Sequence, residues 1–460
     1  MARIKAVKPV HGQWSSSGVF VLAASGFAIG LRNIWQFPYD AVQYGGGAFI
    51  GTYAVFVFLL GLPLMIGQLM AGRLGRLSPV NTVRDLVRRG RHSHGWVWLG
   101  ALSVAVGFLV LSYYSVIAGW LLAYVARSAA GILNDLNADS AANVFSAFVN
   151  HPEKQLFWHS LFMAMTMVVV GNGVRQGLER AVKIVVPLLL VLLVALAVYS
   201  SIVGDMVHCV DYFFLPDFLK LSGKGVLTAL GDAFFSLGLG TGAMMIYGAY
   251  LPETTSIARV ASLVVLIDTA AAVVAGLAVL PVIYAAGGTP SSGPALVFQG
   301  LAAAFDPLPF GRVMRVLFFV LLVLVSWMSS IALGELFVTW LMESRALTRF
   351  KASVYSGVGA WLLGIIMILS FNRWKFSFSI LGVIKTLGMF DVTEVLTSSF
   401  MMPVVGMLSA LFSAWALSKV MTREALSMRS PCTYDAWLWL SRLAVPLWLV
   451  IVFANMRLFL

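Results

Sequence analysis

The sequence predicts an all-α polytopic membrane protein, and three observations carry that expectation. Hydrophobic residues make up 60% of the chain and charged residues only 11%, with a mean hydropathy of +0.91. A soluble domain carries about 25% charged residues. Apolar runs of about 20 residues recur along the chain, each long enough as a helix for a hydrocarbon core of about 30 Å. Lysine and arginine gather in alternate loops, which is how orientation is written into a multi-span chain. That distribution also explains the net charge of +12 without nucleic acid as a partner.

The first span, at about 18–40, leads through Gly45-Gly46-Gly47 to a second at about 48–70. The loop after it holds Arg73, Arg76, Arg84, Arg88, Arg89 and Arg91 against one acid, Asp85, and is expected in the cytoplasm. Spans follow at about 96–125, 156–173 and 184–204. The balanced loop with Asp135, Asp139, Glu153 and Lys154 falls outside, and Arg175, Arg180 and Lys183 fall inside. Spans 6 to 10 are expected at about 225–250, 259–286, 312–342, 353–370 and 391–418, and an eleventh at about 437–458. This arrangement puts the N-terminus in the cytoplasm and the C-terminus outside, with Cys209 and Cys432 on opposite faces and no disulfide. The basic start at Arg3, Lys5 and Lys8 runs into Trp14 and a long span rather than a cleavable signal, and no Asn-x-Ser/Thr sequon occurs.

Two spans are unlike the rest. Span 1 contains Ala24-Ser25-Gly26-Phe27-Ala28-Ile29-Gly30-Leu31-Arg32-Asn33, and span 6 contains Phe234-Phe235-Ser236-Leu237-Gly238-Leu239-Gly240-Thr241-Gly242. Glycine costs a helix about 1 kcal/mol, and an arginine near mid-membrane costs about 2.5–3.5 kcal/mol on insertion scales. Freed backbone at that depth needs protein or a cavity around it. A structural kink in span 1 and close small-residue packing in span 6 are the alternative readings. Each of these spans is the first of five, and interrupted helices at matching places of two halves point to an inverted-repeat transporter. The expected division is therefore one membrane domain over 1–460, with repeats at 18–204 and 225–418 and an extra helix at 437–458.

At these residues the chain resembles a known family. Gln13-Trp14-Ser15-Ser16 and Gly30-Leu31-Arg32-Asn33-Ile34-Trp35-Gln36-Phe37-Pro38-Tyr39 resemble the opening of the neurotransmitter:sodium symporter family. Gly61-Leu62-Pro63-Leu64-Met65, Tyr113-Tyr114, Lys183-Ile184 to Pro187, Asp268-Thr269 and Ser329-Ser330-Ile331-Ala332 continue the likeness in order and spacing. The resemblance implies a LeuT-type fold of two inverted five-helix repeats with spans 1 and 6 unwound. It also implies alternating access for an amino acid or related amine, and an eleven-span length similar to prokaryotic members in an inner membrane.

Carried over by position, the substrate would contact Ala28, Leu31, Val110, Tyr114, Phe235, Ser236, Gly238, Thr241, Ser329 and Leu333, with Arg32 beside them. Amides at the unwound turns and the Tyr114 hydroxyl suit a carboxylate, and Phe235 would close over it. Gly238 and Thr241 leave room for a large side chain, unless Arg32 fills it or selects an acidic substrate. A first sodium site would use the Ala28 carbonyl, Asn33, Ser236 and Asp268, oxygen ligands suited to a hard cation. A second would use carbonyls of Gly26, Ile29 and Val325 with two successive hydroxyls. Here those positions read Met328-Ser329, and a thioether is a poor sodium ligand.

Other departures cluster at the gates. Arg32 stands where the family commonly has glycine, Gln36 where it has arginine, and Asp232 where it has glutamine. The outer gate would be Gln36 with Glu394. The inner gate would be Trp14 and Glu343, with His11 where an arginine is usual. Arg32 and Asp232 are together neutral and are expected to pair across spans 1 and 6, unless Arg32 points to the substrate or stands in for a sodium ion. The halide site of chloride-dependent relatives would fall on Tyr53, Asp232, Ser236, Asp268 and Ala272, where two carboxylates would repel a halide.

The reading is a secondary transporter of an amino acid or similar zwitterion, sodium-coupled and chloride-independent. A sodium-independent carrier driven by protons or exchange, and a non-transporting sensor on the same fold, stand as alternatives. Enzyme chemistry has no nucleophile–base pair or metal cluster to use beyond isolated histidines such as His92 and His94. Neither the substrate nor the oligomeric state is legible.

Overall fold

The structure, a computed structural model, describes residues 11–371, 374–380, 383–428 and 430–454. Arg3, Lys5 and Lys8, and residues 455–458 of the expected eleventh span, lie outside the described residues.

Among the described residues, seven helices are long and apolar enough to cross a membrane, and a bent pair makes an eighth if it is one span. The pair is α1 (Ser17–Ala28) and α2 (Leu31–Gln43), set at 59° to each other. The uninterrupted helices are α3 (Gly47–Gly75), α5 (Val97–Ala129), α8 (Glu179–Val203, entered by a wide turn at Val174–Leu178), α11 (Ile257–Ala285), α12 (Gly311–Arg345), α13 (Arg349–Ser370) and α14 (Met389–Ala416). At the place of span 4, α7 (Pro152–Gly171) opens with Glu153, Lys154 and Gln155, so it is more polar than the others. At the place of span 6, α9 (Gly223–Phe235) and α10 (Ala243–Ala249) are separated by non-helical backbone. The last span is built from α16 (Pro431–Trp439), a wide turn and α17 (Val445–Ala454).

The structure corrects several connections read as loops. The arginine-rich stretch contains α4 (Pro79–Gly90), which starts with proline in its first turn and buries Val80, Val83, Leu86 and Val87 on one face. The polar outer loop contains α6 (Ala138–Val149), closed by an Asn137–Ser140 capping box. Between α13 and α14 the chain adds an antiparallel strand pair, β1 (Lys375–Ile380) with β2 (Val383–Gly388), the one strand pair among the described residues apart from an isolated bridge between Gly46 and Pro216. A short helix, α15 (Lys419–Leu426), precedes α16. Arg73 and Arg76 are likewise more than loop charges. Arg73 donates to the carbonyls of Thr255 and Ala425, and buried Arg76 donates to those of Ala249 (3.1 Å) and Leu251, satisfying carbonyls in the last turns of α10 and α15 and just after α10.

The two breaks have different causes. In span 6, Gly238, Gly240 and Gly242 have φ of +61°, +93° and +79°, a region that favours glycine, so the triplet makes the break rather than a packing stripe. In span 1, Ile29 (φ −63°, ψ 93°) and Gly30 (φ −104°, ψ 174°) are extended, a conformation open to any residue. The interior around these breaks is apolar and tightly packed. A β-carbon on Gly72 would stand 1.9 Å from the Met245 carbonyl oxygen, which locks α3 against α10.

Candidate functional site

The breaks in the two spans face one cavity of about 240 Å³. All eleven residues expected around a substrate line it: Ala28, Leu31 and Arg32 from the first break, Val110 and Tyr114 from α5, Phe235, Ser236, Gly238 and Thr241 from the second, and Ser329 and Leu333 from α12. The first amides of α2, at Leu31 and Arg32, precede its first helical hydrogen bond, from Asn33 N to Gly30 O at 3.2 Å, and both residues line the cavity. The space expected beside Gly238 is taken. A β-carbon there would lie 2.4 Å from the Phe27 ring, so Phe27 lines that wall.

Beside the cavity, Asn33 Nδ2 donates to Asp268 Oδ1 at 2.7 Å. Asp268 is fully buried, and its Oδ2 has no hydrogen-bond partner among the described residues. A buried carboxylate oxygen without a donor is costly, and a hard cation with oxygen ligands meets that need. The residues here therefore fit a sodium ion, which would supply positive charge at the edge of the cavity. The second expected site does not fit one. Ser329 Oγ is shared between the carbonyls of Phe27 and Val325, at 3.3 Å each. Fully buried Met328 stands where one of the two hydroxyls is expected, and the space beside Gly26 is apolar: a β-carbon there would meet Val186 Cγ2 at 2.5 Å and Met328 Cγ at 3.6 Å.

Above the cavity, Arg32 Nη2 lies 2.5 Å from Asp232 Oδ1, and the guanidinium stands 5.1 Å over the Phe235 ring. The Arg32 side chain is 44% exposed and that of Asp232 only 6%. A second cavity of about 440 Å³ shares Arg32, Gln36, Phe235 and Glu394 with the deeper one, so these side chains form the wall between them. Gln36 donates to Asp40 Oδ2 at 2.9 Å instead of meeting Glu394, which corrects the expected outer pair. Tyr53 donates to Ser236 at 3.0 Å. With Asp232, these residues line a void of only about 10 Å³, while Ala272 is fully buried in the core.

The opposite side is closed. Buried Trp14 is held by its backbone amide to Tyr250 O at 3.0 Å and by its indole to Tyr247 O at 3.3 Å. Glu343 gathers His11 Nε2 (2.8 Å), the Ser78 amide (2.9 Å) and Asn81 Nδ2 (2.7 Å), and joins the N-terminal segment to the start of α4. Sequence reasoning missed a second network there. Fully buried Glu335 accepts from Tyr250 OH (2.5 Å) and Thr339 (3.1 Å) and pairs with Arg349. The available signal was an acid inside span 8 with no partner assigned to it.

Comparison with known proteins agrees with this fold. The model of the sodium:neurotransmitter symporter family matches residues 11–146 and 149–457. An uncharacterized sodium-dependent transporter of Bacillus subtilis, YhdH, is 35% identical over 454 residues, covering 98% of either chain. One from Haemophilus influenzae is 28% identical over 449 residues, covering 96% of this chain and 97% of the relative. The crystal structure of MhsT in complex with L-phenylalanine superimposes with a TM-score of 0.86 at 36% identity, covering 96% of this chain and 99% of that one. The fold is thus LeuT-type, and the chain belongs to the sodium:neurotransmitter symporter family of membrane transporters.

Proposed function

We propose that this protein is a secondary transporter of a neutral amino acid, driven by sodium bound at Asp268 and independent of chloride. The observation that carries the reading is the buried, unpartnered Asp268 Oδ2 beside Asn33, at the edge of a cavity built from two broken helices. In this reading the α2 amides and Tyr114 hold the substrate carboxylate and Phe235 covers it. Large neutral amino acids are the first candidates, since the solved relative is in complex with L-phenylalanine. Asp232 takes the place of a halide, its charge balanced by Arg32. Alternating access moves the site between the outer vestibule and the face sealed by Trp14 and Glu343. That face is cytoplasmic, in a prokaryotic inner membrane, with the N-terminus inside and the C-terminus outside.

A second reading, a sodium-independent carrier, is favoured by Arg32 lining the cavity and by Met328 standing where a second hydroxyl ligand is expected. A thermal-shift panel of the proteinogenic amino acids, run in sodium and in potassium, separates the two. The proposal expects L-phenylalanine or another neutral amino acid to stabilise the protein in sodium and to do so far less in potassium. Equal stabilisation in both salts would sink the sodium assignment.

A further inference from the structure

We propose that a groove at the gate-side end of α8 binds the phosphate of an anionic phospholipid, with the acyl chains lying along α8. The groove encloses about 780 Å³ and is lined by Arg175, Arg180, Lys183, Asn172 and Gln176, a set made of cations and amide donors. Arg175 and Arg180 are exposed, and among the described residues neither pairs with a carboxylate. Guanidinium groups bind phosphate with paired, charge-assisted donors, and basic pockets at the membrane face suit acidic headgroups.

One acid faces the groove, and its charge is already met. Glu179 accepts from Lys183 Nζ (2.6 Å), Ser15 Oγ (2.6 Å) and the Ser15 amide (3.0 Å), and its side chain is only 7% exposed. That leaves the two arginines as uncompensated charge at the rim.

What points to a lipid rather than a soluble anion is the surface that continues from the groove. Ile184 lines it, and from there Leu188, Val191, Val194, Val198 and Ile202 follow at helical spacing, between 45% and 76% exposed. A free phosphate has no use for an apolar ridge five turns long; a phospholipid matches both halves of the surface. The groove lies on the closed side of the protein, since Ser15 bonds to Glu179 and the adjoining Trp14 seals that side. The inference is independent of which solute the chain carries.

The test is native mass spectrometry of the purified full chain titrated with phosphatidylglycerol or phosphatidylcholine, with thermal stability as a parallel readout. Arg175→Gln with Arg180→Gln leaves the Lys183–Glu179 pair intact and should weaken retention of phosphatidylglycerol about thirtyfold, which corresponds to about 2 kcal/mol for the two lost charges. Arg88→Gln with Arg345→Gln removes the same charge from exposed residues of α4 and α12 and should leave retention unchanged. Arg180→Gln alone serves if the double variant fails to fold, with a smaller loss expected. Equal loss in the groove and control variants, or no loss in either, would overturn the proposal. So would inorganic phosphate displacing the lipid at millimolar concentration, which would mark a soluble-anion site.

Discussion

At Arg32 the guanidinium has two neighbours of different kinds, the Asp232 carboxylate at 2.5 Å and the face of Phe235 at 5.1 Å. Both charges come from positions where the resemblance led one to expect neutral residues, and their pairing across two spans was legible because an isolated charge there is costly. The strength of the pair was not legible. Arg32 is 44% exposed in the vestibule, so the pair is screened and falls below the 3–5 kcal/mol of a fully buried one. A double-mutant cycle of Arg32→Gly and Asp232→Gln on ligand binding should give a coupling energy of about 0.5–3 kcal/mol. A value near zero would mean that Arg32 works on the substrate alone. Met328 gives a test in the gaining direction. Met328→Thr removes an apolar side chain facing Gly26 and supplies a hydroxyl, so it should raise apparent sodium affinity. Unchanged sodium dependence in a folded variant would mean that this position is not a ligand in this protein.

At the scale of elements, the breaks were readable and the connections were not. Three alternating glycines in an apolar span announced the second break, and the structure puts each at positive φ. The first break was read from two glycines, an arginine, an asparagine and a proline in one apolar span, although the extended backbone there needs no glycine. By contrast α4 was hidden by its composition. Its arginines signal orientation so strongly that the apolar face of Val80, Val83 and Leu86 went unread, and with it the role of Ser78 and Asn81 as donors to Glu343. The strand pair and α6 had no period long enough to register. The contact of Glu343 with α4 makes a prediction of its own. Glu343→Ala frees His11, Ser78 and Asn81 together, so a cysteine placed at Ser25 should react several-fold faster with a reagent applied from the cytoplasmic side. The background should carry serine at Cys209 and Cys432, and an unchanged rate would mean that Glu343 does not hold this gate.

For the whole molecule, hydropathy and the interrupted helices already carried the membrane class and the order of the spans, while the residues that meet at the cavity came from the resemblance to the family. Neither carried the gates' actual partners. Gln36 had two acids within reach, and only the packed structure shows it on Asp40 rather than Glu394. The side chain filling the wall at Gly238 comes from Phe27, on a different span, which no local pattern reveals. The central claim is that transport runs on sodium held by Asp268. Its most direct test is uptake of labelled L-phenylalanine, or whichever amino acid stabilises the protein, into proteoliposomes under an inward sodium gradient. The same assay is run with potassium in place of sodium, with a proton gradient alone, and with Asp268→Ala. The account predicts concentrative uptake only with sodium, insensitivity to replacing chloride by gluconate, and loss of uptake in Asp268→Ala while the variant remains in the membrane. Uptake of wild-type magnitude in potassium, or from Asp268→Ala in sodium, would contradict it.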